Sequence, residues 1–155
     1  MRTLTILAFA ALISIPPHAP PPHACDFITA QTASAVFGKP LHAGKEGTVS
    51  NLFSQCVFAD DFIGSVNFSI GNLADMATSM HASPAQVYQI STTTDTGEIA
   101  NAFPGLGEWN SYNPTTFDLK VIYHGKILTL TVSASKNPAI KTAMGDTLRQ
   151  ILSKV

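Results

Sequence analysis

Charge is scarce in this 155-residue chain: Asp, Glu, Lys and Arg make up 12% of it, and the formal net charge is −1. Average soluble domains carry about twice that charged fraction. There is no basic stripe, which excludes the electrostatic footprint of a nucleic-acid partner. Runs of like charge stop at the pair Asp60-Asp61, so no polyelectrolyte tail exists. Apolar runs are short as well. None approaches the roughly 18 residues that a bilayer-crossing helix needs, so no transmembrane segment is expected.

Chemical motifs are equally sparse. Gly105-x-Gly107 is followed by Asn110 where a third dinucleotide-binding glycine would stand, and no Gly-Lys-Ser/Thr occurs. Beyond residue 24 the histidines are His42, His81 and His124, and none belongs to a His-x-Glu or His-x-x-x-His set. A metal site therefore lacks its usual spacing. No Gly-x-Ser-x-Gly elbow is present. Asp60 and Asp61 read as a solvated turn rather than as an acid–base pair. No catalytic residue is assigned, and no cofactor or metal is expected.

What the chain does have begins at its N-terminus. Leu4 to Ile15 is apolar except for Thr5 and Ser14, follows Arg2, and is ended by five prolines between positions 16 and 24. As a helix, twelve residues rise about 18 Å, well short of a hydrocarbon core of roughly 30 Å. A charged start and a short apolar core form the pattern of a secretory signal. Residues 1–24 are thus read as a signal peptide with a Pro-rich cleavage region, and 25–155 as a single domain. Export to the periplasm or the medium is the expected location.

The two cysteines are Cys25 and Cys56. An exported chain meets an oxidising compartment, where a disulfide is the default. Closing a loop of about 30 residues would contribute about 3.5–4 kcal/mol in the chain-entropy account. Lipidation of Cys25 competes with this bond, since both use the same sulfur. The preceding "PHA" departs from the small-residue pattern of a lipid-attachment site, which disfavours a lipid anchor.

Periodicity supplies the elements. In "ITAQTASAVFG", Thr29 is placed to cap a helix and Gly38 to end it. "FSQCVFA" (53–59), bounded by Asp60-Asp61, reads as a strand, and "GSVNFSI" (64–70) alternates as a half-exposed antiparallel strand. Asn72 and Ser83-Pro84 open two short helices. Residues 91–98 read as a loop or an edge strand. His124-Gly125 forms a two-residue turn that pairs Tyr123 with Lys126, Val121 with Leu128, Leu119 with Leu130 and Phe117 with Val132. A one-residue slip would turn every apolar side chain of that hairpin to the wrong face. Asn137-Pro138 starts a final helix whose stripe is Ile140, Met144, Leu148, Ile151, Leu152 and Val155. The fold class is α+β: a twisted antiparallel sheet of about five strands, with N- and C-terminal helices packed over one face.

The segment most like a site is "FPGLGEWN" (103–110). Its glycines suit a tight turn before the hairpin. Glu108 adjoins the only tryptophan, Trp109; a solvated turn acid is the main reading of it, and a carboxyl perturbed by an apolar neighbour is the competing one. Exposed loop aromatics serve as binding anchors, so Trp109 and Tyr112 are candidates. Trp109 folded back over the sheet edge is the competing reading. With His124 from the neighbouring turn, the candidate binding surface is Glu108, Trp109, Tyr112 and His124.

"CDFITAQTASAVFG" (25–38), a second cysteine on an early strand, and "PGLGEW" (104–109) together resemble a family of small exported domains. Many of its members are actinobacterial lipoproteins. The resemblance spans most of 25–155, with departures at Trp109 and at the lipid-attachment pattern. It implies a compact α+β fold and export, and it transfers no catalytic residues. Some members are similar in fold to photosystem oxygen-evolving accessory subunits and to Ran-binding Mog-type proteins, which implies an interaction module. The expected function is an exported, non-catalytic binding domain whose partner is a protein or small molecule of the cell envelope. The alternative is a periplasmic inhibitor or immunity-type protein acting on a secreted enzyme.

Intact mass separates the two fates of Cys25. The secreted protein is expected to show no alkylatable thiol until it is reduced, and two thereafter. A lipid on Cys25 would instead add acyl mass and leave Cys56 free.

Overall fold

The computed structural model describes residues 22–50 and 52–155. The expected signal peptide lies, up to residue 21, outside the described residues. The strands are β1 (Lys45–Ser50), β2 (Phe53–Ala59), β3 (Ser65–Asn72), β4 (Ile99–Ala100), β5 (Trp109–Asn113), β6 (Asp118–Tyr123) and β7 (Lys126–Ser133). The helices are α1 (Ala30–Phe37), α2 (Leu73–Ser79), α3 (Pro84–Ser91) and α4 (Ile140–Leu152). The class is α+β, but the antiparallel sheet has seven strands, in the order β1-β2-β3-β7-β6-β5-β4, rather than about five.

Two central ladders carry much of the core. β6 and β7 pair in the expected register, Leu119 with Leu130 and Val121 with Leu128. His124 (φ 48°) and Gly125 (φ 73°) are both left-handed, as a type I′ turn requires. β7 then pairs with β3, setting Val132 beside Val66, Leu130 beside Phe68 and Leu128 beside Ile70. These residues face one side of the sheet and are buried there under α1 and α4. The period of two leaves Asn67, Ser69, Thr129 and Thr131 on the opposite face.

Local signals set the helix ends. The Thr29 side chain accepts from the Thr32 amide, and Gly38 ends α1 at φ 85°. Ser83 and Gln86 form a reciprocal capping box at α3. Asn137 departs from its expected role. Helix α4 starts at Ile140. The Asn137 amide reaches back to the last turn of α1 and donates to the Val36 carbonyl at 2.8 Å. Ser135 Oγ donates to the Phe37 carbonyl at 2.7 Å. The linker before α4 thus satisfies the orphan carbonyls of α1 and fixes the two helices side by side.

Helices α2 and α3 lie on the other side. Leu73, Ala77 and Val87 pack on Ile122 and Ile127, with Phe53 and Trp109 alongside. The cross-strand row Phe53–Gly71–Ile127–Ile122–Trp109 is the apolar strip they cover.

Gly145 lets α4 approach the loop beneath it. A Cβ there would sit 2.5 Å from Cε1 and 2.7 Å from Cδ1 of Phe103. Replacing a helical glycine by alanine gains about 1 kcal/mol of propensity. Overpacking a buried contact costs about 1–3 kcal/mol. Gly145→Ala is therefore expected to lower the urea midpoint with an unchanged slope, against the direction that helix propensity alone dictates.

Candidate functional site

The four expected contact residues fall in different environments. Glu108 and His124 meet at the surface: the His124 amide donates to Glu108 Oε1 at 3.0 Å, and its ring Nδ1 lies 3.6 Å from the same oxygen. Trp109 starts β5 opposite Ile122 and is half-buried beside the α2–α3 cluster, with Lys120 Nζ 5.9 Å from its ring. Tyr112 points to the opposite face of the sheet and is only 3% exposed. Its ring stands edge-on to Phe103 at 5.9 Å, and burial pushes its hydroxyl above the usual value of 10.0. Tyr112 thus belongs to the core. The four side chains do not form one surface.

The Gly-rich loop is a fixed structural turn. Asn110 is buried, accepts from the Phe103 amide at 3.0 Å, and donates to the carbonyls of Phe103 and Leu106 at 2.9 and 3.0 Å. Gly107 has φ 69°, and a Cβ on it would lie 2.5 Å from the Ile122 carbonyl oxygen. Only glycine fits a left-handed residue pressed so close to a neighbouring strand.

The pronounced surface feature is elsewhere, at the β2–β3 turn. Phe62 is 88% and Ile63 84% exposed. They are held out rather than left loose. The Asp60 amide donates to the Gly64 carbonyl at 3.0 Å, closing the base of the turn. Asp60 Oδ1 accepts from the amides of Phe62 and Gly64 at 2.9 and 2.8 Å. Asp61 is 2.7 Å from His42 Nε2. Beside the tip runs a groove of about 380 Å³, lined by Phe37, Ala134, Lys39, Lys136 and the tip itself. The sequence signal for this site was two large apolar residues inside a turn, out of step with the alternation of either flanking strand. Attention to Asp60-Asp61 as a solvated turn passes over it.

Two further clusters bear reactive or charged groups. Cys25 and Cys56 form the disulfide, with Cα atoms 5.0 Å apart. Glu46 stands beside them, close enough for the three side chains to converge on a metal. Their sulfurs, however, are bonded to each other and offer no thiolate. The Glu46 carboxylate is engaged as well. It accepts from the amides of Ala24 at 3.0 Å and Cys25 at 2.9 Å, and from the Ser54 hydroxyl. On the far face of the sheet, Glu98 lies 3.7 Å from Lys120, and Ser111 stands opposite Lys120. Ser111 is 1% exposed and its hydroxyl lacks a hydrogen-bond partner. Among the described residues, no helix is long and apolar enough to cross a membrane.

No protein-family model, curated protein or solved structure matches this chain.

The Glu46 clamp has a pH signature. Burial alone would raise its carboxyl, but the Ser54 hydroxyl, the Cys25 and Ala24 amides and nearby His23 together hold it below the ordinary 4.5. A carboxyl lowered by folding stabilises the fold above its unfolded pKa and loses that contribution as pH falls through the folded one. The stability gap between wild type and Glu46→Gln, read from urea midpoints, is expected to be full at pH 7 and to shrink below pH 4.5.

Proposed function

We propose that this protein is an exported, non-catalytic interaction domain that meets its partner through the β2–β3 tip. The observation that carries this reading is the pair Phe62 and Ile63, 88% and 84% exposed on a turn braced from within. Large apolar groups at a surface usually hide some of their area. A fixed, fully displayed aromatic–aliphatic pair has the character of a binding anchor, because little conformational freedom remains to be lost on docking. Around it lie Asp61, His42, Lys39 and Lys136, a charged rim around an apolar centre. The tip takes the place of the surface first read at Glu108, Trp109, Tyr112 and His124.

Export rests on independent observations. The apolar stretch 4–15 with its proline-rich exit has the layout of a secretory signal. The Cys25–Cys56 disulfide is compatible with an oxidising compartment. The short motifs at 25–38 and 104–109 support membership of a family of small exported domains, by resemblance alone. The partner belongs to the cell envelope or the medium. Inhibition of a secreted enzyme is the same reading with an enzyme as that partner.

The test is capture from envelope extract by wild type and by Phe62→Ser/Ile63→Ser, with Trp109→Ala as the comparison. Both side chains of the tip are solvent-exposed, so the double variant is expected to keep its melting temperature. Loss of capture with the tip variant and retention with Trp109→Ala is the expected result. Equal capture by wild type and the tip variant would move the contact surface elsewhere.

A further inference from the structure

We infer that the partner at the tip is a second copy of this chain, joined to the first about a two-fold axis. This rests on the tip being the contact surface. Three features lead to it. First, knob and hole are adjacent: Phe62 and Ile63 form one wall of the groove whose other walls include Phe37, Ala134, Lys39 and Lys136. A surface carrying both a protrusion and its receptacle is self-complementary under a two-fold rotation, which seats each tip in the other copy's groove. Second, the charges follow the same pattern. Asp61, with a side chain 79% exposed and 2.7 Å from His42, stands on the tip side, and Lys39 and Lys136 line the groove, where the Asp60 carboxylate is taken up by the turn's own amides. The rotation that exchanges knob and hole also brings the Asp61 of one copy toward the two lysines of the other. Third, the tip is pre-shaped. The Asp60 carboxylate and the Asp60–Gly64 backbone bond hold the turn closed, so docking leaves the backbone as it is.

A bilayer is a poorer match. Two adjacent acidic residues at the base of an inserting tip would face the negative surface potential of anionic lipid. A second copy answers them with lysines.

Sedimentation velocity of the disulfide-intact mature protein, over a concentration series, tests this. Wild type is expected to dimerise. Phe62→Ser/Ile63→Ser is expected to weaken the dimer by about tenfold or more, which corresponds to about 1.4 kcal/mol, with the melting temperature unchanged when read at concentrations where wild type is monomeric. Asp61→Lys alone and Lys39→Asp/Lys136→Asp alone are each expected to be monomeric, since each places like charges together on both sides of the axis. Mixing those two variants restores opposite charges at both contacts, and a heterodimer is expected. A purely structural effect of either substitution would not be repaired by mixing. Wild type that stays monomeric at all concentrations, or dimers that ignore the tip variant, would overturn the inference. If wild type is monomeric yet captures an envelope protein through the tip, self-association fails and the interaction-domain reading survives. If neither self-association nor tip-dependent capture occurs, both fall.

Discussion

The pairing of β3 with β7 is the constraint on which the fold depends. It joins the N-terminal meander, β1 to β3, to the C-terminal meander, β4 to β7, in one eight-residue register from Ser65–Ser133 to Asn72–Lys126. Without it the sheet divides into a three-stranded and a four-stranded piece, each with one uncovered apolar face. With it, Val66, Phe68 and Ile70 lie against Val132, Leu130 and Leu128 in one floor, and α1 and α4 cover that floor together. The crossover through α2 and α3 makes this possible. It carries the chain over the opposite face, where the strip of Ile122 and Ile127 needs covering in any case. The contacts are long in sequence, and such topologies fold more slowly than local ones.

Elements whose reasons are local were legible in the sequence. The β6–β7 register follows from His124-Gly125 and strict alternation, and it agrees with the observed pairing. Thr29, Gly38, Asn72 and Ser83 sit where their side chains or φ angles place them. The disulfide joins the only two cysteines. Elements whose reasons lie in another part of the chain were not legible. β1, which opens with Lys-Glu-Gly-Thr, has no apolar alternation and is a strand because β2 offers it an edge. β5 sets Asn110 toward the core, where an apolar residue would be expected. The exchange is tolerated because its amide is fully used by the backbone of the 103–106 turn. The exposure of Phe62 and Ile63 was obscured for a related reason: apolar residues in a turn have no period, and only the fold shows that they face water.

The sheet divides its labour by face. The face toward α1 and α4 is apolar apart from the buried Ser54 and Asn110, whose polar groups are hydrogen-bonded within the protein. The other face is apolar only where α2 and α3 rest, and elsewhere is a field of Ser, Thr, Asn and Gln with the Glu98–Lys120 pair. A protein with so few charges keeps its surface wet through hydroxyls and amides. Against that background Phe62 and Ile63 are the most exposed large apolar side chains among the described residues, ahead of Ile90, Met80, Ile99 and Tyr88.

The hydrogen bonds from Ser135 and Asn137 to the end of α1 also order events in time. The carbonyls of residues 36 and 37 find their partners only in residues made about a hundred positions later. The first helix of the domain therefore remains unfinished while the ribosome is still at work, and so does the floor beneath it, since β7 ends at residue 133. A chain built this way stays open until almost all of it has been synthesised.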